Sequence, residues 1–182
     1  MNLLIGVTGG IAAYKACDLV SRSVRRGWSV RVAMTRSATS FVGPLTFQAL
    51  SGHPVAVDAL ALDPDPDGAS AIEHINLARW ADVACVAPLT ANTLAKLAMG
   101  LTDDALTTTL LALEPEVPVL LCPAMNTQMW LHPVTQRNLR WITDLGRYTI
   151  VAPTDKRLAC GEVGVGGLAE VDQIVAAIEA AT

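Results

Sequence analysis

The chain of 182 residues is 52% hydrophobic and 16% charged, which suits one α/β domain with a substantial core and falls short of two ordinary ones. Thirteen basic residues against 17 acidic give a formal charge of −4 with no basic run, arguing against nucleic acid or an anionic membrane as partner. No apolar run approaches the roughly 18 to 20 residues of a membrane span, and Met1 leads almost at once into a strand pattern with no room for a secretory leader, so a cytoplasmic protein is expected.

In chain order, an apolar strand over 3–8 turns through Gly9-Gly10 into a helix over 12–25, and Gly27 precedes a second strand over 29–34, a βαβ unit. Short helices broken by Gly43-Pro44 fill 38–50, and the Asp- and Pro-rich stretch 63–68 reads as an exposed loop. A short amphipathic helix over 72–80 leads to a buried strand over 82–87, then helices over 90–99 and 103–113 and a strand over 117–122. A helix over 133–145, a strand over 148–152, a glycine-rich loop over 159–167 and a closing helix over 171–181 complete the chain. Strands of continuous apolar character alternating with helices predict a Rossmann-like three-layer α/β sandwich with a mostly parallel sheet, one domain spanning 1–182.

Four strand ends carry unusual loops: Thr8-Gly9-Gly10-Ile11, Thr35-Arg36-Ser37, Pro88 to Thr93, and Pro123-Ala124-Met125-Asn126-Thr127-Gln128-Met129-Trp130. Ligands of open α/β sheets sit at the carboxyl ends of strands, so four such loops describe one crevice lined with backbone N–H groups and hydroxyls, suited to an anionic cofactor. The first loop is neither the GxGxxG dinucleotide fingerprint nor a P-loop, and its glycines read equally as tight packing or as unhindered N–H groups for a phosphate. In the last loop Asn126 offers an amide to a carboxylate while Met and Trp exclude water, with plain core packing as the other reading.

His74 stands in a helix that runs towards a ligand-lining strand, where an imidazole suits proton transfer; taken alone it reads as an ordinary surface or core histidine. Asn92 and the Asp103-Asp104 pair read either as helix caps or as site residues. The four cysteines have no metal-ligand spacing, so no metal is expected; Cys17, Cys85 and Cys122 fall in apolar patterns, and Cys160 alone lies in a glycine-rich loop, as a thiol over a site or as ordinary surface.

Five ordered motifs then carry a resemblance over nearly the whole length: Val7 to Lys15, His74 ahead of Arg79-Trp80-Ala81-Asp82, Pro88 to Thr93, Pro123 to Trp130, and Leu158-Ala159-Cys160-Gly161-Glu162. The chain resembles the flavin-containing cysteine decarboxylases, in particular their phosphopantothenoylcysteine decarboxylase branch. The resemblance implies FMN, its phosphate on Gly9, Gly10, Ile11, Thr35 and Ser37 and its ring against Thr90, Ala91, Asn92, Thr93 and Ala124. It implies a homotrimer, or a dodecamer of trimers, with sites between subunits. It also implies His74 as base, Asn126 on the substrate carboxylate, Met129 positioning the substrate, and Cys160 donating a late proton.

The implied chemistry explains why a flavin serves a decarboxylation. Oxidation of the CH₂–SH group to a thioaldehyde supplies an electron sink, and loss of CO₂ then gives an enethiol. Reduction of the enethiol yields 4'-phosphopantetheine from 4'-phosphopantothenoylcysteine; release of it, from the C-terminal cysteine of a ribosomal peptide, is the chemistry of aminovinyl-cysteine formation. Cys160 favours the first, whereas Gly166-Gly167-Leu168, standing where the family commonly has Gly-Arg-Met, keeps the second open. A flavin-binding regulatory protein without turnover and a flavin prenyltransferase are further readings, which His74, Asn126, Cys160 and the Pro123 to Trp130 loop argue against.

Overall fold

The computed structural model describes residues 1–60, 72–157 and 163–182. Its strands are β1 (Asn2–Val7), β2 (Ser29–Met34), β3 (Val55–Ala56), β4 (Val83–Leu89), β5 (Val119–Pro123), β6 (Tyr148–Ile150), β7 (Thr154–Arg157) and β8 (Val163–Gly167). Its helices are α1 (Ala13–Arg25), α2 (Pro44–Ser51), α3 (Glu73–Trp80), α4 (Ala91–Met99), α5 (Ala105–Ala112), α6 (Thr127–Leu131), α7 (Pro133–Asp144) and α8 (Val171–Ala180), with a 3₁₀ turn over Arg36–Ser40.

Six strands form one sheet in the order β3-β2-β1-β4-β5-β6, and every neighbouring pair is parallel. Because side chains alternate across a strand, Leu3, Ile5 and Val7 join α1, α2 and α8 on one face. Leu4 points to the other face, where Ala84, Val86 and Leu121 pack against α3, α4, α5 and α7. All seven residues of β4 are buried, as expected of a central parallel strand covered on both sides. Two helical layers around a parallel sheet are the sandwich that the alternating pattern predicts. Among the described residues, no helix is long and apolar enough to cross a membrane.

The termini of the helices follow local chemistry. Asp104 caps α5, its carboxylate accepting the Thr107 N–H at 2.8 Å, and Lys96 reaches across from α4 to both Asp103 (2.6 Å) and Asp104 (2.9 Å). The capping expectation for Asp104 therefore holds. Asn92 does not cap α4: it lies exposed one residue inside the helix, and Thr90 takes the cap by accepting the Thr93 N–H at 3.3 Å. Thr90 wins because it is the last extended residue before the helix, the position from which a side-chain oxygen reaches the N3 amide.

Three elements depart from the sequence pattern. The tract expected as a glycine-rich loop over 159–167 contains β8, which pairs antiparallel with β7 to make a hairpin outside the main sheet. Glycine hides strand propensity, and nothing local reveals that the partner is β7. The two-residue edge strand β3 is too short to leave a period, and α6 is a single helical turn inside the loop after β5. The loop expected over 63–68 lies outside the described residues.

Candidate functional site

The chain reverses direction across the sheet between β1 and β4: β1 leads outward to β2 and β3, and β4 begins the return. Crevices open at such switch points, beyond the carboxyl ends of the strands. The loops after β2, β1, β4 and β5 are neighbours there, because their strands are neighbours, so all four loops singled out in the sequence meet at one edge.

Gly9 lies against Ser37, so close that a Cβ on Gly9 would collide with the Ser37 hydroxyl and main chain. The loops after β1 and β2 thus share a surface only a bare backbone permits. Thr35 is buried, and its hydroxyl lies 3.1 Å from the Ser37 hydroxyl, while Ser37 itself is exposed. Thirteen-residue α1 opens here with no side-chain cap and no acidic residue in its first turn, so its N-terminal end retains its partial positive charge. Ile11 is 60% exposed beside it. Glycine backbone, paired hydroxyls and an uncapped helix N-terminus together suit an anionic group.

The opposite wall is the Thr90 to Thr93 turn. A Cβ on Gly10 would sit 3.5 Å from the Thr90 methyl, so the two loops are in ordinary contact. Buried Thr8 joins them: its hydroxyl donates to the Pro88 carbonyl at 2.7 Å and accepts the Thr90 N–H at 3.0 Å. The Ala87–Pro88 peptide is cis, and the pairing of β4 with β5 shifts register between Val86 and Leu89. Thr93 is buried, Ala91 is half-buried, and Asn92 is exposed at the rim.

The third wall begins at Ala124, whose N–H donates to the Leu89 carbonyl at 3.0 Å. Asn126 caps α6, its Oδ1 accepting the Gln128 N–H at 2.8 Å. The donors of this amide are its Nδ2–H groups, the kind of atom that an acceptor-only carboxylate requires. Met129 is 48% exposed on α6, whereas Trp130 packs into the core behind it. The hairpin closes on this loop: the Met125 N–H donates to the Gly166 carbonyl at 2.9 Å, and a Cβ on Gly164 would meet the Thr127 hydroxyl at 2.6 Å. The only trace of this docking in the sequence is the pair Gly164 and Gly166, whose role shows only once the loop after β5 is placed against them.

His74 occupies the first turn of α3. A helix feeding a parallel strand runs antiparallel to it, so that turn faces the same carboxyl edge as the crevice. Nδ1 lies 3.2 Å from the Ala59 carbonyl, just beyond β3. A carbonyl only accepts, so Nδ1 is the donor in that contact. Between β3 and β5 stand β2, β1 and β4, four strand spacings or about 19 Å. The Ala59 carbonyl that meets His74 follows β3 in the chain, whereas Asn126 follows β5. Cys160 lies outside the described residues, between β7 and β8 in sequence. Among the described residues, no group of acidic, histidine or cysteine side chains forms a metal-binding cluster.

Comparison with known proteins locates this architecture. The chain is 50% identical over 174 residues to the coenzyme A biosynthesis bifunctional protein CoaBC of Bacillus subtilis, covering 96% of this chain and 41% of that one. It is 45% identical over 178 residues to a probable phosphopantothenoylcysteine decarboxylase of Streptococcus mutans, covering 98% and 97%. The chain thus spans about two-fifths of the bifunctional relative and nearly all of the other. Among solved structures, a PPC decarboxylase variant complexed with pantothenoylaminoethenethiol superposes with a TM-score of 0.85 at 34% identity, covering 98% of this chain and 96% of that one. The FMN-dependent cysteine decarboxylase SpaF superposes with 0.80 at 33% identity, covering 100% and 98%. The family model described as Flavoprotein matches residues 1–182, and the chain belongs to that family.

Proposed function

We propose that the chain is an FMN-dependent cysteine decarboxylase converting 4'-phosphopantothenoylcysteine to 4'-phosphopantetheine. The observation that carries this is the near end-to-end match to the Streptococcus mutans decarboxylase, joined to a crevice whose donors suit a flavin phosphate. The residues fit FMN. Gly9, Gly10, Ile11, Thr35 and Ser37 take the phosphate, and Thr90, Ala91, Asn92, Thr93 and Ala124 border the ring. Bound there, a flavin would supply the two-electron acceptor for oxidation of the CH₂–SH group and, once reduced, the electrons for the closing reduction.

The chain's own groups do the rest. Asn126 holds the substrate carboxylate through Nδ2–H, and Met129 supplies an apolar surface for the cysteine side chain. His74, with Nδ1 engaged by Ala59, presents Nε2 as the base. Cys160 donates the proton that closes the cycle. Because His74 and Asn126 stand towards different strands, a site that uses both is completed between copies of the chain, consistent with a homotrimer or a dodecamer of trimers.

The test is mass spectrometry of products from the FMN-loaded protein, incubated separately with 4'-phosphopantothenoylcysteine and with a peptide ending in cysteine. Loss of CO₂ alone from the first is expected. Loss of CO₂ and two hydrogens from the peptide, with the small substrate untouched, would replace this reading with oxidative decarboxylation of peptides.

A further inference from the structure

We propose that Thr8 is a positioning residue that sets the width of the flavin crevice, a role that rests on the FMN reading above. Thr8 is fully buried, so it acts through other groups. Regular pairing of β1 with β4 ends at Gly6 opposite Val86. Beyond that point, Pro88 offers a carbonyl and Thr90 an N–H on the side of β4 that faces β1, where β1 itself has ended at Val7. The Pro88 carbonyl is buried and the Thr90 N–H half-buried, and backbone groups withdrawn from water need partners; the single Thr8 hydroxyl serves both, donating at 2.7 Å and accepting at 3.0 Å. The side chain continues the ladder where the strand has stopped.

The same residue also holds the other loop. Its carbonyl accepts the Gly10 N–H at 2.9 Å, tightening the turn that brings Gly9 onto Ser37. Backbone and side chain of one residue therefore fix the phosphate-side loop and the ring-side loop relative to each other. Valine in its place would keep the shape and remove both side-chain bonds. Serine would keep both bonds and remove only a methyl group.

The test compares FMN affinity, by quenching of flavin fluorescence on titration of apoprotein, in the wild type, Thr8→Val and Thr8→Ser, with hydrogen exchange of the Thr90 amide measured alongside. Thr8→Val is expected to weaken FMN about tenfold or more and to expose the Thr90 amide, and Thr8→Ser to match the wild type within about twofold on both readouts. FMN affinity unchanged in Thr8→Val, or equally weakened in Thr8→Ser, overturns the assignment. If Thr8→Val does not fold, Thr8→Ser alone decides: a tenfold loss there means that packing rather than the hydroxyl matters. A wild type that takes up no FMN refutes the functional reading; a Thr90 amide equally protected in wild type and Thr8→Val refutes the latch.

Discussion

Gly166→Ala tests whether the hairpin acts as the outer wall of the substrate loop. Gly166 has φ of +136°, where a β-carbon is strained, and a Cβ there would run into the Met125 carbonyl oxygen. Strain at a backbone angle that L residues avoid costs roughly 1–2 kcal/mol. Moving away forfeits the Met125 N–H to Gly166 carbonyl bond, worth about 1 kcal/mol. The sum, about 2–3 kcal/mol, shifts the docking equilibrium by roughly 30- to 150-fold. It falls on docking rather than on global stability, because neither β7 nor β8 pairs with the main sheet. Hydrogen exchange should show protection of the Met125 amide falling by that factor while Val86, in the buried centre of β4, keeps its own. Turnover should fall with FMN affinity unchanged. Unaltered Met125 protection would show that the hairpin accommodates a side chain there and that the close approach of Gly166 does not hold it.

Two further predictions follow from the site and its supports. Co-expressed His74→Asn and Asn126→Asp chains, each inactive alone, should recover about one quarter of wild-type turnover, since random mixing rebuilds that share of intersubunit sites; no recovery would place the site within one chain. The hydrogen bond to Asp103 raises the pKa of Lys96, and its counterpart lowers that of Asp103. The Asp103 contribution is present above its unfolded pKa, near 4, and lost as pH falls through the depressed folded value; the Lys96 contribution is present below about 10.4 and lost as pH rises through the raised value. Urea unfolding of wild type and Lys96→Met should therefore differ by a constant amount from pH 5 to 9, the gap closing at both extremes; a gap that widens in acid refutes the pairing.

The parallel core was legible because its signals are local. Val83 to Leu89 is apolar without interruption, and a strand buried on both faces needs nothing else to be recognised. The meeting of four loops at one edge was legible for the same reason: once the strands are parallel and adjacent, the loops after them share that edge. What escaped the sequence depends on partners distant in the chain. Thr8 reads as a loop residue until Pro88 and Thr90 arrive 80 and 82 positions later. The hairpin was hidden because its glycines answer to the loop at 125–127, not to strand propensity. Asn92 was open to a capping reading because amides commonly cap helices; the extended backbone of Thr90 gives that place to Thr90.

Cys85 and Cys122 sit side by side on β4 and β5, fully buried, with their sulfurs 3.8 Å apart. Their mutual hydrogen bond, then burial, push the Cys122 thiol well above its ordinary value. Both sulfurs lie inside the sheet with no exposed surface, so neither is within reach of an alkylating reagent while the sheet is intact. Cys17 on α1 is only half-buried, whereas Cys85 and Cys122 become labelled only when the central strands part. The native chain thus carries its own clock for global opening, readable by counting modified sulfurs over time.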